Sequence, residues 1–237
     1  KGNLKPRLFR DIKSKSLINM MGFNNKGVLH LVKNLKLRRK NKVIVGVSIG
    51  KNSETPIEEA IKDYLECMTC VYEHSDYIAI NISSPNTKDL RSFEIKEELE
   101  SLIKPLKERQ LELTNEHGYK PLFLKISPDN DDRGIEDICG ALLRFSVDGL
   151  ICTNTTINHN HISGLGGLSG KPLLGPSTET LRIARKILGD EFPIIASGGV
   201  MSKEDYLQKI DAGADLVQIY TGFIFEGPKL IDDILNK

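Results

Sequence analysis

Six short apolar runs recur along the chain, and segments with helical spacing separate most of them. The runs cover residues 43–49 (VIVGVSI), 77–83 (YIAINIS), 122–127 (LFLKIS), 149–154 (GLICTN), 193–199 (PIIASGG) and 216–222 (LVQIYTG). Because they are rich in Val and Ile and apolar at consecutive positions, they are typical of parallel strands that are buried on both faces. The alternation of strands and helices predicts an α/β fold with right-handed crossovers.

The segments between these strands carry helix start signals. Residues 55–58 (TPIE) combine an N-cap threonine, a proline at the first helical position and a capping-box glutamate. Pro176 and Ser202 are predicted to open two later helices. Residues 94–117 are also helical in pattern, and Pro105 is expected to kink or break that helix.

Polar residues and glycines concentrate at the C-terminal ends of all six predicted strands. They are Ser48, Gly50, residues 81–86, Lys125, residues 153–155, Gly198, Gly199 and residues 220–222. Contributions from every strand end are typical of a TIM (β/α)8 barrel, whereas an open sheet collects its ligand groups at one switch point. The glycine-rich residues 164–170 lack the position and the spacing of a dinucleotide-binding loop.

The number of strands indicates an incomplete barrel. A TIM barrel needs eight βα units, and the sequence shows about six, because residues 1–42 hold only two short apolar segments and a basic helical stretch. We therefore expect the barrel to be incomplete at its N-terminus. The length predicts a single domain over residues 1–237.

Charge and hydropathy narrow the classes of partner. The 33 basic and 32 acidic residues give a formal charge of +1, which argues against nucleic acid. Residues 33–42 (KNLKLRRKNK) are interpreted as a solvated helix end rather than a surface for phosphates or anionic lipid. No run approaches the roughly 18 apolar residues of a membrane span, so the visible chain is expected to be soluble by itself.

Cysteine and histidine patterns point to no metal or disulfide. Four unevenly spaced cysteines do not make a disulfide framework, and Cys67 and Cys70 lie in an apolar periodic segment where packing is the favoured role. His159 and His161 lie in a polar loop without an evident carboxylate partner. No metal site is predicted.

Uncharged hydrogen-bonding side chains cluster around a single cation. Residues 81–87 (NISSPNT), 153–156 (TNTT) and 23–25 (FNN) supply amides and hydroxyls, which suit a ring bearing amides, imides and a carboxylate. A capped turn is the alternative role of the first segment. Lys125 lies at a strand end among them, and a functional role is favoured over a structural ion pair because strand interiors rarely hold an unpaired ammonium.

Two glycine sites follow the last two strands. They lie at residues 197–200 (SGGV) and 220–223 (YTGF), and a helix is predicted to begin near Ser202. Backbone N–H groups freed by glycine and aimed with a helix N-terminus bind phosphate, and the last two strands of a TIM barrel are the usual place for this site. Tight turns without a ligand are the alternative.

The motifs, taken in order, resemble those of a known family. FRD, GFNNKG, VGVSIGKN, YIAINISSPNT, LKISPD, CTNTT, GGLSG, IIASGGV and VQIYTGFIF resemble the blocks of the quinone-dependent, class 2 dihydroorotate dehydrogenases over essentially the whole chain. NISSPNT is the most specific block, because class 1 enzymes carry a cysteine where this segment has its catalytic serine. The resemblance implies an FMN-dependent oxidoreductase of de novo pyrimidine (UMP) biosynthesis that oxidises (S)-dihydroorotate to orotate and passes electrons to a quinone.

The resemblance also implies roles for individual residues. Ser84 is the expected base that takes a proton from C5 of dihydroorotate while a hydride leaves C6 for flavin N5, and because serine is a very weak base, a relay through water or Thr87 is expected. The implied substrate-binding residues are Asn24, Asn81, Asn86, Asn154 and Thr155. The implied FMN-binding residues are Ser48, Asn81, Lys125, Thr153, Gly170, Gly199, Tyr220 and Thr221. Lys125 is expected near flavin N1 and O2, where it stabilises the negative charge of reduced flavin, and the last three residues are expected at the phosphate.

Two departures from the family pattern change what the resemblance implies. Ser48 stands where many members have asparagine, which implies a shorter or water-mediated contact. The family's first strands and its N-terminal helices, which form the quinone tunnel and dock on the membrane, have no counterpart in the sequence. The chain alone is therefore expected to be inactive or weakly flavinylated. Peripheral association with the cytoplasmic side of a bacterial cell membrane, or with the mitochondrial inner membrane, is expected to need that region.

Three other functions stay open at this point. Another FMN barrel, such as a class 1 dihydroorotate dehydrogenase or a dihydropyrimidine dehydrogenase, is disfavoured by Ser84 in place of cysteine. A phosphate-binding barrel enzyme without flavin usually needs a strand-end Asp or Glu, and the strand ends here hold amides, hydroxyls and one lysine. The third is a non-catalytic module that only binds a phosphorylated ligand.

Overall fold

A parallel sheet with helices on one face forms the framework of the molecule. The computed structural model describes residues 2–37, 43–160 and 165–236. These residues form nine strands, which are β1 Leu8–Asp11, β2 Ser16–Asn19, β3 Gly46–Ile49, β4 Tyr77–Asn81, β5 Leu122–Ile126, β6 Gly149–Cys152, β7 Gly167–Gly170, β8 Ile194–Ser197 and β9 Leu216–Gln218. They also form eight α-helices, which are α1 Val28–Leu37, α2 Ala60–Val71, α3 Lys96–His117, α4 Asp132–Arg144, α5 Leu174–Leu188, α6 Lys203–Asp211, α7 Thr221–Glu226 and α8 Lys229–Leu235.

The six predicted strands form one sheet. β3, β4, β5, β6, β8 and β9 lie side by side in that order, and all neighbouring pairs are parallel. An open doubly wound sheet reverses its strand order at a switch point, and this sheet runs in one direction throughout the described residues. The order is that of a (β/α) barrel, so the predicted fold class is confirmed.

The sheet has a helix-covered face and an inner face with its own small core. Val47, Ile49 and the other apolar side chains of the outer face pack against the helices in one large cluster. On the inner face, Ala79, Ile151 and Ile195 form a separate buried layer, as the packed interior of a barrel requires. Side chains alternate between faces along each strand, and therefore both faces need apolar residues.

Some strands end earlier than their apolar runs. The run at 216–222 is a strand only to Gln218, because Thr221 is the first residue of α7. Thr221 and Gly222 therefore lie in the first turn of a short helix rather than at a strand end. The run at 43–49 becomes a strand only at Gly46, and Val43 is 71% exposed.

A second, antiparallel sheet was not predicted from the sequence. β2 lies between β1 and β7. Leu17 of β2 is paired with Arg10 of β1 on one side and with Ser169 of β7 on the other. β7 comes from the glycine-rich segment that follows β6, so this sheet joins two distant parts of the chain. It lies across the C-terminal ends of the parallel strands, where it contributes Leu17 and Ser169 to the wall of a cavity.

The predicted capping box at residues 55–58 does not form. α2 begins at Ala60 after a 3₁₀ turn over Ile57–Glu59, and no side chain caps that turn or the helix. Thr55 instead belongs to the preceding loop, because its carbonyl accepts a hydrogen bond from Lys51 Nζ at 2.7 Å. The prediction for Ser202 is confirmed, since its Oγ accepts from the N–H of Asp205 at the start of α6.

Two prolines affect their helices less than the sequence indicates. α3 runs unbroken through Pro105, because Leu102, Ile103 and Leu106 are buried on both sides of the proline and hold both halves to the core. α5 begins at Leu174 rather than at Pro176, so this proline lies in the first turn, where a missing N–H costs no helical hydrogen bond.

A repeated aspartate ties neighbouring strands together at their N-terminal ends. Asp76, Asp148 and Asp215 directly precede β4, β6 and β9. Each carboxylate accepts a hydrogen bond from a backbone N–H at the start of the neighbouring strand: Asp76 from Val45 before β3, Asp148 from Leu122 of β5, and Asp215 from Ile194 of β8. These three bonds measure 2.7 Å. The carboxylates replace ladder partners that a parallel sheet leaves unpaired at this edge.

Asp148→Ala is expected to lower the free energy of unfolding by about 2–4 kcal/mol. Its carboxylate accepts from Leu122 N–H, from Gln110 Nε2 at 3.0 Å and from the Tyr119 hydroxyl, so alanine leaves several donors without their acceptor. Urea unfolding with an unchanged m-value measures the loss. Asp190→Ala, at an exposed position, serves as the control and should change stability by no more than about 0.5 kcal/mol. An equally small change in the free energy of unfolding for Asp148→Ala would contradict the proposed stabilising role of its carboxylate.

Candidate active site

A cavity of about 260 Å³ lies at the C-terminal end of the parallel sheet. Its walls come from the ends of β5, β6, β8 and β9 and from the antiparallel sheet. Most of the predicted cofactor and substrate residues line it, namely Lys125, Thr153, Asn154, Thr155, Gly170, Gly199, Tyr220 and Thr221. The structure therefore brings together residues that are far apart in sequence.

Lys125 supplies the positive charge of this cavity. It lies in register with Asn81 on the inner face of the sheet, and burial lowers the pKa of its ammonium. Within the described residues, no acceptor or carboxylate pairs with its Nζ. A buried ammonium without a partner is costly, so an electron-rich ligand group is expected beside it.

Glycines shape the opposite part of the cavity. We call Gly198, Gly199, Thr221 and Gly222, all of which line the cavity, the glycine cradle. Gly199 has φ +83°, and a Cβ there would lie 2.3 Å from the backbone N of Leu174, so no other residue fits. Among the described residues, the backbone N–H groups of Gly199, Thr221 and Gly222 have no acceptor. Free N–H groups on residues that line one cavity are the kind of donor that binds an anion.

A network of neutral side chains lies next to Lys125. Asn154 Nδ2 donates to Asn81 Oδ1 at 3.2 Å and to Ser83 Oγ at 3.1 Å, while its own Oδ1 accepts from the N–H of Thr155. Ser83 Oγ in turn donates to the Lys125 carbonyl at 2.7 Å. Asn81 does not line the cavity itself, but Tyr64 holds its carbonyl at 2.8 Å, so this network has a fixed orientation.

Ser84 lies in the buried loop that follows β4. Its Oγ accepts from the N–H of Asn86 at 3.3 Å, and the Asn86 amide donates to Asn19, which lines the cavity. Thr87 is 5% exposed, and its Oγ1 has no hydrogen-bond partner among the described residues. Because buried hydroxyls are nearly always satisfied, a water or ligand atom is expected at Thr87.

Arg91 connects the loops that carry these residues. Its Nε donates to the Ser83 carbonyl at 3.1 Å, its Nη2 to the Thr155 carbonyl at 2.9 Å, and its Nη1 to Asp129 at 2.7 Å. Asp129 also accepts from the hydroxyl of Thr156. One guanidinium thereby fixes the loops after β4, β5 and β6 relative to one another. The sequence did not single out Arg91.

Five predicted site residues do not line the cavity: Asn81, Ser84 and Asn86 belong to the network and loop described above, and Ser48 and Asn24 lie elsewhere. Ser48 is exposed on β3, where it is in register with Ala79 on the inner face, and it does not line the cavity. Asn24 is exposed in the loop between β2 and α1. His159 Nε2 shares a hydrogen bond with the Gly166 carbonyl, while His161, Gly164 and residues 38–42 of the basic stretch lie outside the described residues.

Cysteines take the structural roles expected of them. Cys139 and Cys152 are fully buried, and Cys67 and Cys70 are half-buried against the main core. All four are free thiols. Burial raises the pKa of Cys67 to about 11 and that of Cys139 to about 12, so both thiols stay protonated near neutral pH.

The sequence shows no pattern for several residues that line the cavity. Asn19, Leu17 and Ser169 belong to the antiparallel sheet, and Gln218 lies at the end of β9. Ser169 Oγ is 2.9 Å from Thr221 Oγ1, which connects this sheet to the glycine cradle. The pairing of the four-residue strands β2 and β7 places Leu17, Asn19 and Ser169 in the cavity wall.

Comparisons with known proteins agree with the geometry. A family model described as dihydroorotate dehydrogenase matches residues 1–237. The chain is 50% identical over 243 residues to "Dihydroorotate dehydrogenase (quinone)" of Aliivibrio salmonicida, covering 100% of this chain and 72% of that protein. It is 51% identical to the protein of the same name from Shewanella pealeana, covering 99% of this chain and 71% of that one.

Solved structures give the same result. The crystal structure of DHODH from Eimeria tenella in complex with ferulenol matches with a TM-score of 0.91 and 34% identity, over 98% of this chain and 69% of that one. The ligand-free structure from the same organism matches with a TM-score of 0.89 and 36% identity, over 98% of this chain and 71% of that one.

Proposed function

Since the chain belongs to the dihydroorotate dehydrogenase family, we propose that it oxidises (S)-dihydroorotate to orotate, with FMN as hydride acceptor and a quinone as final electron acceptor, in de novo pyrimidine biosynthesis. One observation carries the proposal. The unpaired Lys125 and the free N–H groups of the glycine cradle line a single cavity beside a neutral amide network. In the described part of the chain no Asp or Glu lines that cavity, which disfavours a phosphate-binding barrel enzyme that works without flavin.

The chemistry of the cavity fits FMN. The glycine cradle offers N–H donors to the phosphate, and Lys125 offers positive charge to an electron-rich part of the ring. Thr153, which is 2% exposed, Gly170 and Tyr220 line the same cavity and belong to the proposed cofactor contacts. Ser48 and Asn81 do not line it and stay in the proposal as predicted contacts. When bound, FMN supplies the hydride acceptor that this chain's own side chains lack.

The amide network is the proposed site for dihydroorotate. Asn81, Asn86 and Asn154 present donors and acceptors without charge, and Thr155 adds a hydroxyl at the cavity wall. These groups orient a ring with imide and carboxylate groups, and fixed orientation contributes much of the rate in such a reaction. Asn24 is also a proposed substrate-binding residue. For Asn24 to reach the substrate, the loop between β2 and α1 must lie over the bound ring.

Ser84 is the proposed base. Its Oγ takes a proton from C5 of dihydroorotate and passes a proton on through a relay. Thr87 is the proposed next member of that relay, because its buried Oγ1 has no hydrogen-bond partner among the described residues and can bond to a water or a ligand atom. A serine hydroxyl cannot keep a second proton, so Ser84 passes its own proton to water or Thr87 as it takes up the proton from C5, and it is left as a neutral hydroxyl for the next turnover. Arg91 keeps Ser84 in place through the adjacent Ser83 carbonyl.

Exposed apolar side chains in the cavity wall offer a contact surface to a hydrophobic electron acceptor. Leu8 (47%), Tyr220 (69%) and Ile224 (43%) line the cavity and are exposed. No helix of the described residues is long and apolar enough to span a bilayer. We propose peripheral association with the cytoplasmic side of a bacterial cell membrane, through a part of the protein outside this chain, with no nucleic-acid partner.

Anaerobic flavin reduction tests the proposed function. L-Dihydroorotate added to the FMN-loaded full-length protein is expected to bleach the visible absorbance of the flavin, and a water-soluble quinone is expected to restore it. NADH is the control and should bleach it far more slowly. Bleaching by NADH but not by dihydroorotate would contradict the proposal.

A further inference from the structure

Lys209 is a second buried lysine, and it lies behind the glycine cradle. It is on α6, its side chain is fully buried, and its Nζ donates to Ser177 Oγ at 2.6 Å. The Leu174 carbonyl lies 3.5 Å from the same Nζ. Lys209 does not line the cavity, so the proposed reaction gives it no direct role.

The positive charge of Lys209 forms no ion pair within the described residues, although the Asp205 carboxylate on the same helix attracts it at longer range. Among the described residues no carboxylate lies within ion-pair distance of its Nζ, and burial lowers its pKa to about 8. Its hydrogen-bond partners are a hydroxyl and a carbonyl, and neither carries a charge. A buried cation that is kept without an internal ion pair indicates an anion that comes from outside the chain.

Ser177 links Lys209 to the cavity wall. Ser177 Oγ is 3.0 Å from the Gly198 carbonyl and 2.7 Å from the Leu173 carbonyl, and because it accepts from Lys209, its single proton is free for one of these. Gly198 belongs to the glycine cradle. Two hydrogen bonds therefore separate the ammonium from the cradle, and the Gly198 carbonyl is held toward Ser177.

We propose that Lys209 is a positioning residue for the flavin phosphate: its buried charge, held behind Gly198 through Ser177, makes the cradle select a flavin that carries a phosphate dianion. The inference rests on the proposed FMN function. Riboflavin shares the ring of FMN and lacks the phosphate. The ratio of the two affinities therefore isolates the contribution of Lys209 from any general effect on the fold.

The test compares FMN and riboflavin binding to the flavin-free full-length protein. Lys209→Met keeps the length of the side chain and removes the charge. We expect the ratio of FMN affinity to riboflavin affinity to fall at least about tenfold at pH 7, with riboflavin affinity changed by less than about twofold. Lys51→Met is the matched control, because Lys51 is also buried but donates to the Asn52 and Thr55 carbonyls after β3.

The outcomes separate the two proposals. If wild-type protein binds FMN no more tightly than riboflavin, the proposed FMN site fails, and this inference fails with it. If wild-type protein prefers FMN and Lys209→Met weakens both ligands equally or leaves the ratio unchanged, only the role of Lys209 is overturned. A ratio that falls equally in Lys51→Met would also overturn it.

A pH series on wild-type protein tests the same inference without a variant. The groups that face Lys209 are Cys152 from β6, Arg182 from α5 and Asp205 on its own helix. Burial keeps the Cys152 thiol protonated by raising its pKa, so this thiol does not compete with Lys209 in the titration. A phosphate dianion favours the ammonium form, so above about pH 8 FMN binding takes up a proton and the affinity ratio should fall, by up to about tenfold per pH unit. A flat ratio would overturn the inference.

Discussion

Replacing Ser84 with alanine is expected to slow flavin reduction by dihydroorotate by about 10²–10⁴-fold, the range that a positioned general base contributes. Ser84 is 7% exposed, and the one hydrogen bond that its Oγ makes within the described residues comes from the N–H of Asn86. Alanine removes the proton acceptor but leaves the loop in place, because Arg91 holds the adjacent Ser83 carbonyl. Anaerobic rapid mixing of FMN-loaded full-length protein with L-dihydroorotate measures the rate directly.

Two controls separate a lost base from a disturbed site. Ser92→Ala removes a hydroxyl from the same segment, where it donates to the Asp89 carbonyl at 2.8 Å away from the cavity, and it should reduce at the wild-type rate within about twofold. Orotate binding to Ser84→Ala should change by less than about tenfold, because the amide network is intact. If orotate binding falls as far as the reduction rate, or if the rate does not fall, Ser84 is not the base.

The parallel sheet could be predicted because each of its strands is readable locally. Runs such as 77–83 and 122–127 are apolar at consecutive positions, and only a strand covered on both faces needs that composition. Lys125 interrupts its run, and its position in register with Asn81 follows once the strands are paired. The strand ends gather in space because parallel strands share one C-terminal edge.

The antiparallel sheet could not be predicted in the same way. β2 and β7 are four residues long, and Leu17 pairs with Ser169 across most of the chain. Such short strands carry little periodicity, and their pairing depends on a long loop closure that no local pattern records. Asn19 was missed as a residue of the cavity wall for this reason.

The sequence also gives no indication of the charged residues that support the site without lining the cavity. Arg91 donates to two carbonyls, and carbonyl acceptors have no side-chain identity that a sequence could show. Lys209 occupies a helix position that would ordinarily face solvent, and only the packing of α6 onto α5 buries it. The repeated aspartate before β4, β6 and β9 did leave a pattern, since Asp76, Asp148 and Asp215 precede predicted strands.

Lys125→Met is expected to slow flavin reduction by about 10²–10³-fold, the usual effect of removing one fixed electrostatic group from an active site. The same change is expected to stabilise the flavin-free protein. Burial lowers the pKa of Lys125, so folding disfavours its charged form. The contribution of Lys125 to the free energy of unfolding is therefore highest above its unfolded pKa of about 10.4, and it is lost as the pH falls through its lower, folded-state pKa. Methionine has no charge to bury, so the variant does not lose this free energy at pH 7.

Urea unfolding of the flavin-free protein at pH 7 and at pH 10.5 measures this effect. Lys125→Met should be more stable than wild type at pH 7, and the difference should shrink at pH 10.5, which is close to the unfolded pKa, because the lysine of the unfolded state is then about half neutral and folding no longer has to discharge a full ammonium. Lys51→Met is the matched control: it should lose about 1–2 kcal/mol through its two carbonyl hydrogen bonds, with little change in the reduction rate. A Lys125→Met variant that is less stable at pH 7 would mean that an interaction within the chain already satisfies the ammonium. Because the flavin would then not be needed to satisfy Lys125, that result would remove the main electrostatic argument for a flavin in this cavity.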